Sequence, residues 1–233
     1  MRFSSISKVA GVLTSVIMTF SVNANSTDDL GFVLGIKDIK QGYEVLDVRK
    51  GSLADKLKVK TGDRIIAVHG QIPNEKNKKY IVAALNAMGP GSLFNVRIES
   101  DGKEYELLSA IPKDDKTANA ASCAYASLQG LPPKTRDVHR VKVLQVNGNP
   151  VNERNRYKLN SGFNALKLLE NIKVQDIRYK LHSERNKNVR IYVEPGDQVY
   201  LGAQYIKARR METMRGRHWY PTIWKNKQVS CSS

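Results

Sequence analysis

The stretch GSLADKLKVKTGDRIIAVHG, residues 51–70, places a helical turn, a glycine turn and a strand close together. Ser52 suits the N-cap of a helical turn over Leu53–Leu57, because its hydroxyl can accept a hydrogen bond from a first-turn N–H. Gly62 suits the turn that follows, because it adopts positive φ without steric cost. Arg64–Val68 is rich in β-branched residues and predicts a buried strand. These twenty or so positions constrain the surrounding chain to a compact unit of mixed helix and strand.

The flanking segments extend this unit in both directions. Upstream, Asp29–Leu34 predicts a glycine-containing loop that runs into a strand. Downstream, Asn74–Met88 carries apolar residues on one face and predicts a helix. Leu93–Glu99 and Glu104–Ser109 then predict a hairpin across Asp101-Gly102, the dipeptide that type I′ turns favour. The first half of the chain is therefore predicted to combine short strands with two helices.

In order and spacing, these segments resemble a PDZ domain over about Asp28–Pro112. Residues 51–70 resemble the family's central signature, and Asp29–Phe32 resembles its Gly-Leu-Gly-Phe carboxylate-binding loop. Asp29 stands where the family has its first Gly, which places a negative charge near the anion site. The resemblance implies an α+β fold for residues 25–112, a partly open β-barrel with two helices.

The resemblance also implies a peptide-binding groove in which an extended peptide adds a strand to the sheet edge. The backbone N–H groups of Leu30–Phe32 would hold a terminal carboxylate. Phe32 and Leu34 would line one side of an apolar pocket, and Val82 and Leu85 on the helix would line the other. Lys78 would favour an acidic residue in the peptide. The implied peptide-binding set is Leu30, Gly31, Phe32, Val33, Leu34, Lys78, Val82 and Leu85.

Two alternatives to that site remain open at this point. The four apolar side chains could do no more than fill the core, and Lys78 could be a solvated surface lysine. A groove that is unused or self-occupied would still leave the fold intact.

Residues 1–24 predict a cleavable signal peptide. Arg2 and Lys8 give a positive N-terminal region, Val9–Phe20 is mostly apolar, and Val22-Asn23-Ala24 is a small-x-small cleavage site. The apolar segment is shorter than the roughly 20 residues that span a bilayer, although an uncleaved anchor is the alternative. We therefore expect a periplasmic or secreted protein.

Positive charge is concentrated in the second half. Residues 25–111 contain 13 Lys/Arg and 12 Asp/Glu, whereas residues 112–233 contain 23 and 10, within a chain of net charge +16. One interpretation is that these charges only keep an exported protein soluble. The other is a surface that faces anions, such as an anionic membrane or lipopolysaccharide. Nucleic acid is disfavoured as a partner, because no nucleic-acid motif or aromatic platform is recognisable.

Residues 113–133 are polar, small or proline-rich and predict a linker. Residues 134–233 then show short strands separated by turn residues, which predicts a small mainly-β, sandwich-like domain. Phe163–Leu169 fits either a strand or a helical turn. The run Val193–Ala203, followed by Trp219–Trp224, resembles a group of small bacterial envelope domains of uncertain function.

The chain shows no motif for catalysis or for a cofactor. Its four histidines are scattered without metal-ligand spacing, and no protease nucleophile setting is present. Cys123 and Cys231 are the only cysteines, and in an oxidising compartment an even pair predicts a disulfide.

The sequence therefore predicts a non-enzymatic, cofactor-free module that binds peptide or protein C-termini in the cell envelope. The alternatives are an envelope interaction protein that contacts anionic surfaces through its basic second half, and a regulator that docks onto a separate protease.

Overall fold

The computed structural model describes residues 30–35, 42–88, 92–110, 123–172 and 186–230. The predicted signal peptide and the residues of the predicted linker up to position 122 lie outside these ranges, as does Cys231. Within the described ranges, no helix combines the length and the apolar character needed to cross a membrane.

The described part of the chain is mainly β-structure with two α-helices. The helices are α1 (Leu53–Lys56) and α2 (Lys78–Asn86), and short 3₁₀ turns lie at Lys134–Arg136 and Lys207–Arg209. The strands are β1 (Phe32–Gly35), β2 (Tyr43–Val48), β3 (Arg64–Val68), β4 (Leu93–Ser100), β5 (Lys103–Ala110), β6 (Cys123–Ser127), β7 (Val138–Val146), β8 (Asn149–Pro150), β9 (Arg156–Asn160), β10 (Gly162–Asn171), β11 (Asn186–Val193), β12 (Asp197–Tyr205) and β13 (Trp219–Gln228).

The local predictions for the first half are confirmed with one change, because the helix predicted over Asn74–Met88 extends only from Lys78 to Asn86. Ser52 caps α1, because the Asp55 N–H donates to its Oγ over 3.3 Å. Gly62 takes a φ of 90° at the turn that precedes β3. Strands β4 and β5 pair antiparallel on either side of Asp101-Gly102, as the sequence predicts. The alternative left open for Phe163–Leu169 is also decided, because this segment lies within β10.

The strands join into one hydrogen-bonded network. The main path runs β1-β2-β3-β4-β5-β11-β10-β7-β12-β6-β9, with β13 added to β12 and β8 added to β7. Strand β7 connects two parts of this network: Val138 and His139 pair with β12, whereas Arg140–Val146 pair with β10. Strand β6 lies inside the stretch predicted as a linker and is built into the sheet beside β9 and β12.

The predicted fold class, a PDZ α+β domain followed by a separate sandwich, is wrong. Strand β5, which should end the first domain, pairs in parallel with β11 from the second half, with Arg190 opposite Leu107 and Ile191 opposite Leu108. Leu107 lies in the first buried core and Leu108 in the second, so β5 lies between the two cores and contributes a side chain to each. Because successive side chains of a strand point to opposite faces, β5 cannot belong to one half alone.

Strand β13 adds a further layer to the junction by packing against β4 and β5. Most of β4 is consequently buried on both faces, including the polar residues Asn95 and Arg97. Trp219, at the start of β13, is fully buried in the second core. The two halves therefore share a covered interface as well as a sheet.

Candidate functional site

The loop that precedes β1 is fixed by its carbonyl groups. The Leu30 carbonyl accepts a hydrogen bond of 3.0 Å from the Ala54 N–H, and the Gly31 carbonyl accepts one of 2.7 Å from the Arg49 N–H. Gly31 has a φ of 71°, a left-handed conformation that favours glycine. Alternation of left- and right-handed residues can turn successive N–H groups to one side and create an anion-binding nest. The loop geometry is thus compatible with the predicted carboxylate site.

Strand β1 lies at one end of the sheet. It pairs with β2, and the described residues provide no strand on its other side. An end strand presents main-chain groups to which an additional strand can hydrogen-bond. Val33, in the middle of β1, is half-buried and so remains partly accessible.

The predicted apolar pocket is largely occupied by its own residues. Phe32, Leu34 and Leu85 are 9%, 5% and 4% exposed and belong to the first core. Val82 packs against the same core but stays partly exposed. The structure therefore brings all four residues into one cluster, in which Val82 offers the largest accessible apolar surface. The neighbouring Tyr80, which is not among the predicted site residues, is 63% exposed.

Lys78 is the first residue of α2, and its ammonium group already forms an ion pair. Its ammonium lies 2.7 Å from the Glu75 carboxylate. Its backbone carbonyl accepts a hydrogen bond of 3.3 Å from the Tyr43 hydroxyl. Burial, with the nearby charge of Glu75, raises the pKa of Tyr43 above its usual value. An acidic peptide residue would have to compete with Glu75 for Lys78.

A second candidate surface, here called the basic face, lies on β5, β10 and β11. It surrounds an open cavity of about 360 Å³ and is defined by Lys103, Tyr105, Phe163, Lys167 and Arg190. The Arg190 guanidinium stacks 3.9 Å from the centre of the Tyr105 ring and donates to the Lys58 carbonyl over 2.9 Å. No Asp or Glu of the described residues lines this cavity.

Sequence reasoning missed the basic face because its residues come from three strands that are distant along the chain. The alternation within β10 was the available signal. Phe163, Ala165 and Lys167 are half-buried on one face, while Asn164, Leu166 and Leu168 are buried on the other. Only the pairing of β10 with β11 and of β11 with β5 places Arg190 and Tyr105 beside them.

The remaining predicted site residues are the two cysteines. Cys123 is buried in β6, and Cys231 lies outside the described residues, so their bridge stays a prediction. In the ranges that the structure describes, no three His, Cys, Asp or Glu side chains are grouped so that they could hold a metal ion.

Comparison with known proteins adds no assignment. No protein-family model matches the chain, and a search of the curated proteins finds no match.

Proposed function

We propose that the protein binds extended peptide segments along the free edge of β1. The observation that carries the proposal is the position of β1 at the end of the sheet, directly after the left-handed Gly31. A peptide that adds a strand there gains main-chain hydrogen bonds, and a terminal carboxylate would accept charge-assisted bonds from the loop N–H groups.

The buried state of Phe32, Leu34 and Leu85 restricts what the edge can recognise. Because these three side chains fill the core, they offer a peptide little accessible apolar surface, and we expect the main chain and the terminus to supply most of the affinity. Val82 and Val33 supply a shallow apolar contact. We expect dissociation constants of about 1–100 μM, equivalent to roughly 5–8 kcal/mol.

The carboxylate contact is tested by titrating the purified protein with an apolar-ended peptide library in free-acid and amidated forms. Amidation should weaken binding. The Gly31→Asp variant should bind more weakly than Gly31→Asn, because both carry the same backbone strain and only Asp adds a negative charge. Equal binding by the Asp and Asn variants, or no preference for free termini, would contradict a carboxylate site.

The helix side of the groove is tested by placing a charge on α2. Val82→Lys should weaken peptide binding, because Val82 is the partly exposed residue that packs against the β1 core cluster. Ala83→Lys is the matched control, since Ala83 is the next residue on the same helix and is exposed. If both lysine variants bind peptide like the unmodified protein, the groove beside α2 is not the site.

The basic face supports a second candidate function, contact with an anionic surface. The observation that favours it is the absence of Asp and Glu from the described lining of a cavity that holds three cationic side chains. The rings of Tyr105 and Phe163 add apolar contact area beside the three cations. Binding of this kind weakens as salt rises, since the Debye length is about 8 Å at physiological ionic strength.

Vesicle co-sedimentation separates a specific face from general basicity. A double substitution of Lys103 and Lys167 to Ala should reduce binding to anionic vesicles more than the same change at Lys158 and Lys227. All four lysines lie on strands, but the last two are exposed outside the basic face. Equal losses from both pairs would leave only a non-specific charge effect.

A further inference from the structure

A cavity of about 280 Å³ lies on the face of β3, β4 and β5 that points away from the first core. Arg217, in the segment before β13, closes it from the second half of the chain. Its apolar wall consists of Ile66, Ile72 and Pro73. Its volume is just below the roughly 300–1,000 Å³ of typical ligand sites, which suits a small molecule.

Arg97 presents an incompletely paired charge to this cavity. Its side chain is 5% exposed. Its Nε donates to the Glu106 carboxylate over 2.6 Å, whereas Nη1 is 3.9 Å from the Glu104 carboxylate, too far for a hydrogen bond. Among the described residues, Nη1 and Nη2 have no hydrogen-bond acceptor. Neither nitrogen is among the fully buried unpaired atoms of the described residues, so both can be reached from the cavity and can donate to an acceptor placed there.

Arg217 provides a second guanidinium that has nitrogens available to an acceptor. It is half-buried, and no acceptor or carboxylate of the described residues lies within bonding distance of its side chain. Burial lowers the pKa of Arg209, the charge of Glu212 raises it, and the charges of Arg97 and Arg217 lower it, so Arg209 lies within electrostatic reach of both arginines. Three arginines and two glutamates line the cavity, so its lining carries a net charge of +1.

Arg64 differs from the other two arginines of the cavity. Its Nη2 donates to the Glu99 carboxylate over 2.7 Å, and both side chains are about one-third exposed. This pair forms part of the wall. Glu104 is about half exposed, and its carboxylate lies 3.9 Å from Nη1 of Arg97. Its negative charge disfavours an incoming anion, but its side chain does not block the cavity.

We propose that this cavity binds a small molecule that carries an oxyanion, a phosphate or a carboxylate, attached to an apolar group. Arg97 and Arg217 hold the oxyanion, because the planar guanidinium fork matches both carboxylate and phosphate geometry. The apolar group lies against Ile66, Ile72 and Pro73. This site is separate from the β1 edge, and its failure would leave the peptide-binding proposal untouched.

Isothermal titration of the purified protein with n-butyl phosphate, butyrate, inorganic phosphate and n-butanol tests the proposal. Butyl phosphate or butyrate should bind, and the tighter of the two identifies the preferred oxyanion. Butanol should not bind, because it cannot pair with the guanidinium groups. Inorganic phosphate that binds as tightly as butyl phosphate would overturn the role of the apolar wall.

Matched arginine variants locate the binding. Arg217→Ala should weaken binding about tenfold or more, as expected for the loss of charge-assisted hydrogen bonds. Arg215→Ala should leave it within about twofold, because Arg215 is exposed in the same segment but does not line the cavity. Glu104→Gln should strengthen binding by removing a negative charge near Arg97. Equal losses from the two arginine variants, or no binding of any anion, would overturn the proposal.

Circular dichroism checks that each variant is folded. If Arg217→Ala is not folded, Arg217→Gln keeps much of the side-chain length and tests the same charge. Glu104→Gln gives an independent result of opposite sign, and weaker binding by this variant would also count against the site.

Discussion

The side-chain amide of Asn95 on β4 donates a hydrogen bond of 3.0 Å to the backbone carbonyl of Pro221 on β13, 126 residues later in the chain. Asn95 is buried, and its amide also donates to the Glu106 carboxylate over 3.3 Å. The junction between the two halves is therefore a polar network within the protein interior. Its stability should depend on the balance of charge between Glu106 and the buried cations beside it.

Glu106 is the only carboxylate buried with Arg97 and Lys187 among the described residues of this junction. Their side chains are 3%, 5% and 9% exposed. Glu106→Gln should lower the free energy of unfolding by about 3–5 kcal/mol, because both buried cations lose their counter-charge. Urea unfolding measures the change. Glu99→Gln is the control, and its pair with Arg64, in which both side chains are about one-third exposed, should be worth less than about 1 kcal/mol. Similar losses in both variants would contradict a buried network.

Lys187 should make stability rise with pH above 8. Burial, together with the charge of Arg97, lowers the pKa of Lys187 from 10.5 to about 8. Between these values the unfolded chain holds a proton that the folded chain has lost, so the free energy of unfolding increases with pH. The gain between pH 8 and 10 should be on the order of 2 kcal/mol, and it should disappear in Lys187→Met.

The effect of Lys187 on stability should be measured below about pH 10, because Tyr220 affects stability above that pH. Burial raises the pKa of Tyr220 to about 12, so above pH 10 the folded chain retains a proton that the unfolded chain loses. Stability then falls with pH, which is the opposite sign. Urea unfolding at pH 7, 8, 9 and 10 should give diverging curves for the unmodified protein and Lys187→Met. Parallel curves would show that Lys187 does not titrate in this range.

Replacing Gly70 with alanine should destabilise the protein, because the Cβ would collide with a residue of the second half. A Cβ at Gly70 would lie 2.6 Å from Cδ1 of Tyr220, and the φ of Gly70 is 72°. Gly62→Ala is the control, because Gly62 has a φ of 90° but open space where its Cβ would lie. We expect Gly62→Ala to cost about 1 kcal/mol through backbone strain and Gly70→Ala about 1–3 kcal/mol more through overpacking.

A double-mutant cycle with Tyr220→Ala tests the origin of that extra cost. Removing the Tyr220 ring should recover part of the loss in Gly70→Ala and none of the loss in Gly62→Ala. Thermal or urea unfolding supplies the four free energies for each cycle. Additive effects of Gly70→Ala and Tyr220→Ala would mean that the ring is not the obstacle.

Cys123 and Cys231 are expected to form a disulfide in exported protein. Closing a loop on the order of 100 residues should contribute roughly 4–5 kcal/mol in the chain-entropy model. Peptide mapping without reductant should recover the two cysteine peptides as one linked species. Alkylation of both thiols in native protein would contradict the bridge.

Local structure was accessible from sequence because its causes are local. Ser52 caps α1 through the Asp55 N–H, three residues away, and Asp101-Gly102 turns β4 into β5 without help from distant segments. Each of these features depends on a few neighbouring residues whose conformational preferences agree.

The shared sheet was not accessible in the same way. Nothing in the sequence around Leu107 indicates that β11 will pair beside it, because parallel pairing depends on two segments far apart in the chain. Asn95 and Arg97 alternate with Val96 and Ile98, which predicts polar side chains facing solvent. They are buried instead because β13 covers that face of β4.

The pairing of β5 with β11 also has a consequence for the order of events during folding. Ser109 and Tyr192, joined by a hydrogen bond of 3.3 Å across these strands, are 83 residues apart. During synthesis β5 emerges long before its neighbour, and until then it presents an unpaired edge and the apolar Leu108 to other chains. Contacts this distant in sequence also slow folding. The newly made chain therefore passes through a period in which self-association competes with completion of the sheet.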